Sequence, residues 1–228
     1  MKNVDVWQDA VQGAKRELIL HAARYEFMEN GLEGATMRAI AHRAGCTTGA
    51  IYPLFGSKEL IYAALLERSL LALDAAIAGA IAPSMSAAQK VRAASEAFLH
   101  YYLEHQFEVN LGLYAFRGLK RQGVGKHSDR RLNDLLDKAL HRIAEPLAEV
   151  RADASSRVKP LVALLFSQMI GALVLQFAGR LDLLGVSPRE LLKLSLNHLL
   201  SDPPMGRTTR RASGKAHSPA TNVTRRKA

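Results

Sequence analysis

From Ala14 onward, apolar side chains recur at helical spacing. Leu18, Ile19, Ala22, Ala23, Phe27 and Met28 are assigned to one face, and Gly31 supplies a stop. Thr36 opens a short helix with Met37, Ile40, Ala41 and Ala44 at i, i+3, i+4 and i+7, closed by Gly45. Thr47 and Thr48 cap a third short helix running to about Phe55. Gly56-Ser57 then breaks and recaps the chain, and a long helix follows from Lys58 to about Ala80. Beyond Pro83-Ser84 the pattern predicts helices over 87–104, 108–121, 129–150, 156–184 and 188–200. Residues 122–128 form a loop, and Pro146 is a kink or a stop. Residues 1–13 read as a loosely ordered arm, and Ser201-Asp202-Pro203-Pro204 ends the folded part. No run alternates with the period of a strand and no internal repeat emerges, so the expected fold is all-α.

The segment Met37–Leu54 has the makings of a helix-turn-helix. Two short helices meeting steeply need a small residue where their backbones approach, and Ala41 supplies it. The turn between them needs a residue tolerant of positive φ, which Gly45 is. Ile40, Ala44, Ile51 and Leu54 are spaced to face inward. Thr47 and Thr48 begin the second helix, the end that a major-groove reader turns toward bases and phosphates.

Charge sharpens this picture less than the total suggests. The chain of 228 residues has a formal net charge of +10. Seven of its 31 Lys and Arg lie from Arg207 on, with no acid among them, so residues 1–206 hold 24 cations against 21 acids, about +3. The Arg/Ser/Thr/Pro-rich tail has little to bury and reads as disordered. It either strengthens nonspecific DNA association or only aids solubility. The single cysteine, Cys46, rules out an intramolecular disulfide framework and suits a reducing cytoplasm. The N-terminus carries no apolar signal-peptide core, so a cytoplasmic location is expected.

At the level of spaced motifs, the segment Arg16–Leu60 resembles the DNA-binding domain of the tetracycline-repressor (TetR/AcrR) family. The matching elements are Ile19-Leu20-x-Ala22-Ala23, Phe27-x-x-x-Gly31, Ala35-Thr36-Met37-x-x-Ile40-Ala41-x-x-Ala44-Gly45 and Tyr52-x-x-Phe55-x-Ser57-Lys58-x-x-Leu60. The resemblance implies that Thr36 and Lys58 lie on phosphates. It puts Thr47, Thr48, Gly49 and Tyr52 on the face presented to the groove, with Arg38 and Arg43 as further phosphate contacts. Two residues depart from the family pattern. Pro53 falls inside the reading helix, where it removes one hydrogen bond and crowds the carbonyl of Gly49. The cost is about 3 kcal/mol in a long helix interior, and smaller, with a tighter or bent last turn, in a short helix. Leu54 replaces the family's common His or Tyr.

The same resemblance implies a three-part chain: an arm and helix-turn-helix over 1–60, a larger helical effector-binding and dimerisation domain over 61–202, and the basic tail over 203–228. It implies a homodimer formed through the last two helices, about 158–200, and a small-molecule effector. Leu161–Ala178 is apolar apart from Ser167, Gln168 and Gln176, so that helix must be buried nearly all round. A membrane span is the competing reading of that stretch; the three polar side chains argue against it. Candidate effector contacts are Tyr101, Tyr114, Arg117, His141, Phe166, Met169, Ile170 and Leu173. Their chemistry favours a mainly apolar ligand, with Arg117 a weak hint of an anionic group.

No nucleophile motif, glycine-rich phosphate loop or paired-carboxylate arrangement stands out, so enzymatic activity, a cofactor and a metal site are not expected. The eight histidines lack ligand spacing; His100 and His105 are five apart and face different ways. The expected protein is a repressor released from near-palindromic double-stranded operator DNA by its effector. The alternatives are a constitutive DNA-binding protein without a ligand, and a helical protein held at a membrane by Leu161–Ala178.

Overall fold

The computed structural model describes residues 2–113, 123–151 and 157–201, with side chains from residue 6 onward. Among these residues the chain is all-α, without a strand. The helices are α1 (Lys2–Gly34), α2 (Met37–Arg43), α3 (Thr48–Ile51), α4 (Lys58–Ala80) and α5 (Ala87–Glu104). They continue as α6 (Gln106–Gly112), α7 (Lys126–Val150), α8 (Val158–Phe177), α9 (Arg180–Leu184) and α10 (Pro188–Ser201).

Helix starts follow the local chemistry. A Ser or Thr hydroxyl accepts one of the backbone N–H groups that a first turn leaves unpaired. Thr36 does so for α2 and Ser57 for α4, accepting from Ala39 N at 3.1 Å and Leu60 N at 3.3 Å. Ser86 and Gln89 form a reciprocal box at α5, and Ser187 and Glu190 form another at α10, with Pro188 at the first helical position. Asp129 plays a comparable part at α7, accepting from Val124 N at 3.0 Å.

Several expectations need correction. The arm expected over 1–13 is helical from Lys2, continuous with the helix predicted from Ala14. Gly31 does interrupt it, with φ 64° and ψ 177°. Leu18 and Met28, expected on the buried face, are more than half exposed. Each lies five residues from fully buried Ala23, about 140° around the helix, and so faces water. Helix α7 starts at Lys126, inside the predicted loop, and runs through Pro146 without stopping. The helix predicted over 108–121 begins earlier, at Gln106; α6 ends at Gly112, and residues 114–122 lie outside the described residues. The single helix predicted over 156–184 is two, because Gly179 takes a left-handed φ of 66° between α8 and α9. The helical pattern on both sides of it concealed that glycine's backbone freedom. The basic tail from Asp202 also lies outside the described residues.

Helix α4, 23 residues and about 35 Å long, joins the two ends of the molecule. It packs on α1 and α6 as well as on α5 and α7. Helix α8 closes the body over α5, α7 and α10. The centre is apolar and tightly filled: Leu73, Ile77, Phe98, Ile143, Leu147, Met169 and Leu173 are fully buried. One buried charge interrupts it. The Asp74 carboxylate on α4 accepts from Arg142 Nε and from Arg142 Nη2 (3.1 Å), with Lys138 Nζ at 2.9 Å. These α7 cations hold the Asp74 carboxyl below its ordinary pKa, the Arg142 hydrogen bond being the largest cause.

Candidate nucleic-acid interface

The first three helices and the start of α4 surround a small apolar seat. Ile40 and Ala41 from α2 and Ile51 from α3 are buried with Ile19, Ala22, Ala23 and Phe27 from α1 and Phe55 beyond α3. The turn between α2 and α3 is a Schellman motif: Gly45 N donates to His42 O at 3.1 Å and Cys46 N to Ala41 O at 3.0 Å. Gly45 carries the φ of 69° that this requires. A side chain there would strain the left-handed backbone, so the glycine sets the angle between the helices.

Beyond the turn, Thr47, Gly49, Ala50, Tyr52 and Pro53 are exposed, Thr48 is half-buried, and Ile51 is fully buried. One side of a four-residue helix thus anchors it while the rest faces outward. Pro53 shows its effect in the backbone. The helix ends at Ile51, and Leu54 N reaches back only three residues, to Ile51 O at 2.8 Å. The chain therefore tightens where the proline has no N–H to donate. Leu54 is half-buried against the core.

The other expected contacts divide. Thr36 is exposed, but its hydroxyl is already engaged in capping α2. Arg38 is exposed on the same helix. Arg43, expected on a phosphate, donates to Glu26 Oε1 and Glu29 Oε2, both at 2.7 Å, and ties α2 to α1. The Glu26 hydrogen bond leads the causes that raise the Arg43 pKa. Glu26 and Glu29 are three apart on α1, and that spacing puts both carboxylates within reach of one guanidinium. Lys58 Nζ donates to Glu33 O at 3.1 Å and Ala35 O at 3.0 Å, pinning the end of α1. Arg16 stacks over the Phe55 ring at 4.2 Å, a contact that sequence reasoning missed.

Of the candidate effector contacts, Met169 and Leu173 are buried, and Phe166 and Ile170 half-buried, on α8. Phe166 meets Phe98 edge-to-face at 5.9 Å. Tyr101 lies three residues beyond Phe98 on α5 and meets α4, its hydroxyl donating to Ser69 O at 3.1 Å, and burial raises the phenol's pKa. A run of ring contacts, Tyr101–Tyr102–Phe98–Phe166, joins it to the α8 residues. His141 is exposed, because its position on α7 turns away from the side bearing Ala139 and Ile143. Tyr114 and Arg117 lie outside the described residues. Among the described residues, no group of three or more His, Cys, Asp or Glu is placed to hold a metal.

Helix α8 is apolar enough to cross a membrane by length and composition, yet only about a third of its most apolar stretch is buried within the chain. Leu164, Val174 and Leu175 on α8, and Leu194 on α10, are exposed. Within one copy, then, α8 is covered on one side only, and the all-round burial expected of it counts on a second copy for the other.

Residues 19–65 match the model of bacterial regulatory proteins of the tetR family. The HTH-type transcriptional activator FasR of Mycolicibacterium smegmatis is 35% identical over 91 residues, which cover 40% of this chain and 41% of FasR. The HTH-type transcriptional repressor AcnR of Corynebacterium efficiens is 46% identical over 50 residues, or 22% of this chain and 27% of AcnR. The aligned stretches thus span less than half of either relative. In fold, the chain is similar to the transcriptional regulator FadR of Bacillus subtilis, solved in complex with stearoyl-CoA. That likeness has a TM-score of 0.64 at 17% identity and covers 81% of this chain and 97% of FadR.

Proposed function

Starting from a chain that belongs, through residues 19–65, to the tetR family of bacterial regulatory proteins, we propose that it is a ligand-responsive transcription regulator that binds operator DNA as a homodimer. The observation that carries this reading is the outward face of the turn-helix unit. Thr47, Gly49, Ala50 and Tyr52 stand exposed on a helix anchored by Ile51. Thr36, Arg38, Thr47, Thr48, Gly49 and Tyr52 form the DNA-facing set. Lys58 joins them through the one ammonium donor that its two bonds to the Glu33 and Ala35 carbonyls leave over. Arg43 serves instead as the tie between α1 and α2.

Pairing in the dimer runs through α8 and α10. Their exposed leucines and valine form an apolar surface that one copy leaves in water, and a second copy would cover it. A two-fold pair places two reading helices about one DNA turn apart, so the operator is near-palindromic. The chain acts as a repressor, and a mainly apolar effector taken into the body of α4–α8 releases it. The effector does so by preferring a subunit arrangement that DNA does not. We take residues 1–60 as the reading unit and 61–202 as the effector and dimer unit.

Selection of bound duplexes from random DNA by the full chain tests the reading. The expected product is a near-palindrome, and Tyr52→Ala weakens binding to it. Recovery of no preferred sequence at low salt would overturn it. Leu194→Glu is expected to shift the protein toward monomer in sedimentation; an unchanged dimer population would remove α10 from the interface.

A further inference from the structure

Helix α1 has a second apolar face. Trp7, Ala14, His21 and Met28 recur every seven residues, and Val11, Leu18 and Tyr25 recur every seven in the gaps between them. Steps of four and three keep all of them on one stripe, about 32 Å long. None of them is Asp, Glu, Lys or Arg. Ile19, Ala23 and Phe27, buried with Ile40 and Ile51 of the reading motif, lie on the opposite side of the helix. Trp7, Leu18 and Met28 are more than half exposed, Tyr25, Ala14 and His21 are exposed, and Val11 is half-buried. Single apolar residues in water are ordinary, but a surface helix that meets only solvent has no use for an apolar repeat of seven. That repeat is what two helices need to stay in contact along their length.

The stripe complements its own reverse. In a second α1 laid antiparallel and centred on residue 16, Ala14 of one copy falls opposite Leu18 of the other and Val11 opposite His21. Farther out, Trp7 meets Tyr25. The layers nearest the axis thus join a small side chain to a larger one, whereas a parallel pair would set Trp7 on Trp7 and leave a gap at Ala14. Of the charges flanking the axis, Glu17 arrives paired with Arg68 at 2.6 Å, and Lys15 stands exposed, where like charges are weakly felt. The exposed parts of Trp7, Leu18, Tyr25 and Met28 come to roughly 500 Å² per copy. Two copies therefore remove about 1,000 Å² from water, the size at which specific interfaces begin. We propose that this stripe docks on the same stripe of a second copy, as an antiparallel pair of α1 helices. The pairing leaves α3 open, because α3 lies behind the opposite face. Helix α1 packs on α2 and α4, whereas α8 and α10 pack on each other and on α5, so the contact is separate from the surface assigned above to the dimer. It joins dimer to dimer; that last step alone rests on the dimer proposed above.

Trp7 is the chain's one tryptophan, so its fluorescence reports this face directly. As the full chain is concentrated, its emission is expected to shift to the blue and acrylamide quenching to fall, in step with association seen by sedimentation equilibrium. Leu18→Glu should weaken that association at least about a hundredfold, since two leucines leave the interface together. It should leave the melting transition in place, because Leu18 lies off the core. Leu194→Glu should lower the assembly by one step and keep the Trp7 response; failure to do so counts against the α10 interface alone. On a Cys46→Ser background, a mixture of Ala14→Cys and Leu18→Cys chains should form disulfides between unlike copies, and neither chain with itself. Unchanged sedimentation of Leu18→Glu, or emission independent of concentration, would overturn the pairing, and links between like copies would overturn its direction. A Trp7 shift that appears only when vesicles of anionic phospholipid are added would overturn it in favour of a lipid surface.

Discussion

Replacing Asp74 by Asn removes the charge that clamps α4 to α7. The carboxylate is buried and accepts two hydrogen bonds from Arg142, with Lys138 at 2.9 Å. A hydrogen bond to a charged group contributes about 1.5–3 kcal/mol, and breaking a fully buried pair costs about 3–5. Both cations keep part of their hydration, Lys138 most of it, which discounts the upper figure. The expected loss at pH 7 is therefore about 2–3 kcal/mol. For a chain of this length that lowers Tm by roughly 5–10 °C. The folded carboxyl titrates below its unfolded value. Its stabilisation is thus complete above the unfolded pKa, near 4, and is lost as pH falls through the folded one. Urea melts of both proteins should differ by the full amount at pH 7 and converge below the folded pKa, where Asp74 is as neutral as Asn. A gap under about 0.5 kcal/mol at pH 7, or one that persists unchanged in acid, would refute the reasoning. Lys138→Ala is the control, expected to cost under about 1 kcal/mol.

The placement of Arg38 and Arg43 separates two kinds of arginine. Arg38→Ala should reduce the slope of log K against log salt by about 0.9; Arg43→Ala should leave that slope alone and lower the melting temperature instead. Pro53→Ala restores an N–H that can reach Gly49 O. The gain of about 0.5–1.5 kcal/mol is offset by about 0.4–1 from the freer unfolded chain. Urea melts should therefore agree within about 1 kcal/mol, and a change near 3 would mean that the folded chain is strained by the proline. Truncation at residue 206 should preserve the melting transition and flatten the salt dependence of DNA binding, since it removes seven cations and no acid.

Much of the reading motif was legible because it is local. Gly45, Thr36 and Ser57 each act through neighbours within a few residues, so spacing alone predicts the turn and the starts of α2 and α4; Thr47, also expected to cap, stands at the start of α3 without a side-chain capping bond. Pro53 belongs to the same class: the missing N–H is a property of the residue, and the tightened turn after Ile51 follows. The candidate effector contacts were less legible. Met169 and Leu173 fall inside the body as their pattern suggests, whereas His141 lies one helical face away from it. The phase of α7 against its neighbours is set by packing, which no single stretch encodes.

The amino-acid order by itself determined the helical class, the hinge between α2 and α3, and which residues of α3 are anchored and which are free. These depend on backbone sterics and on contacts along one helix. Only the tertiary structure decided what the charges do. It turned Arg43 onto Glu26, paired Asp74 with cations 64 and 68 residues away, and brought Arg24 to Glu108. An ion pair forms wherever folding carries two side chains within a few ångströms, and its strength depends on how much water remains there. Both are properties of helices packed together.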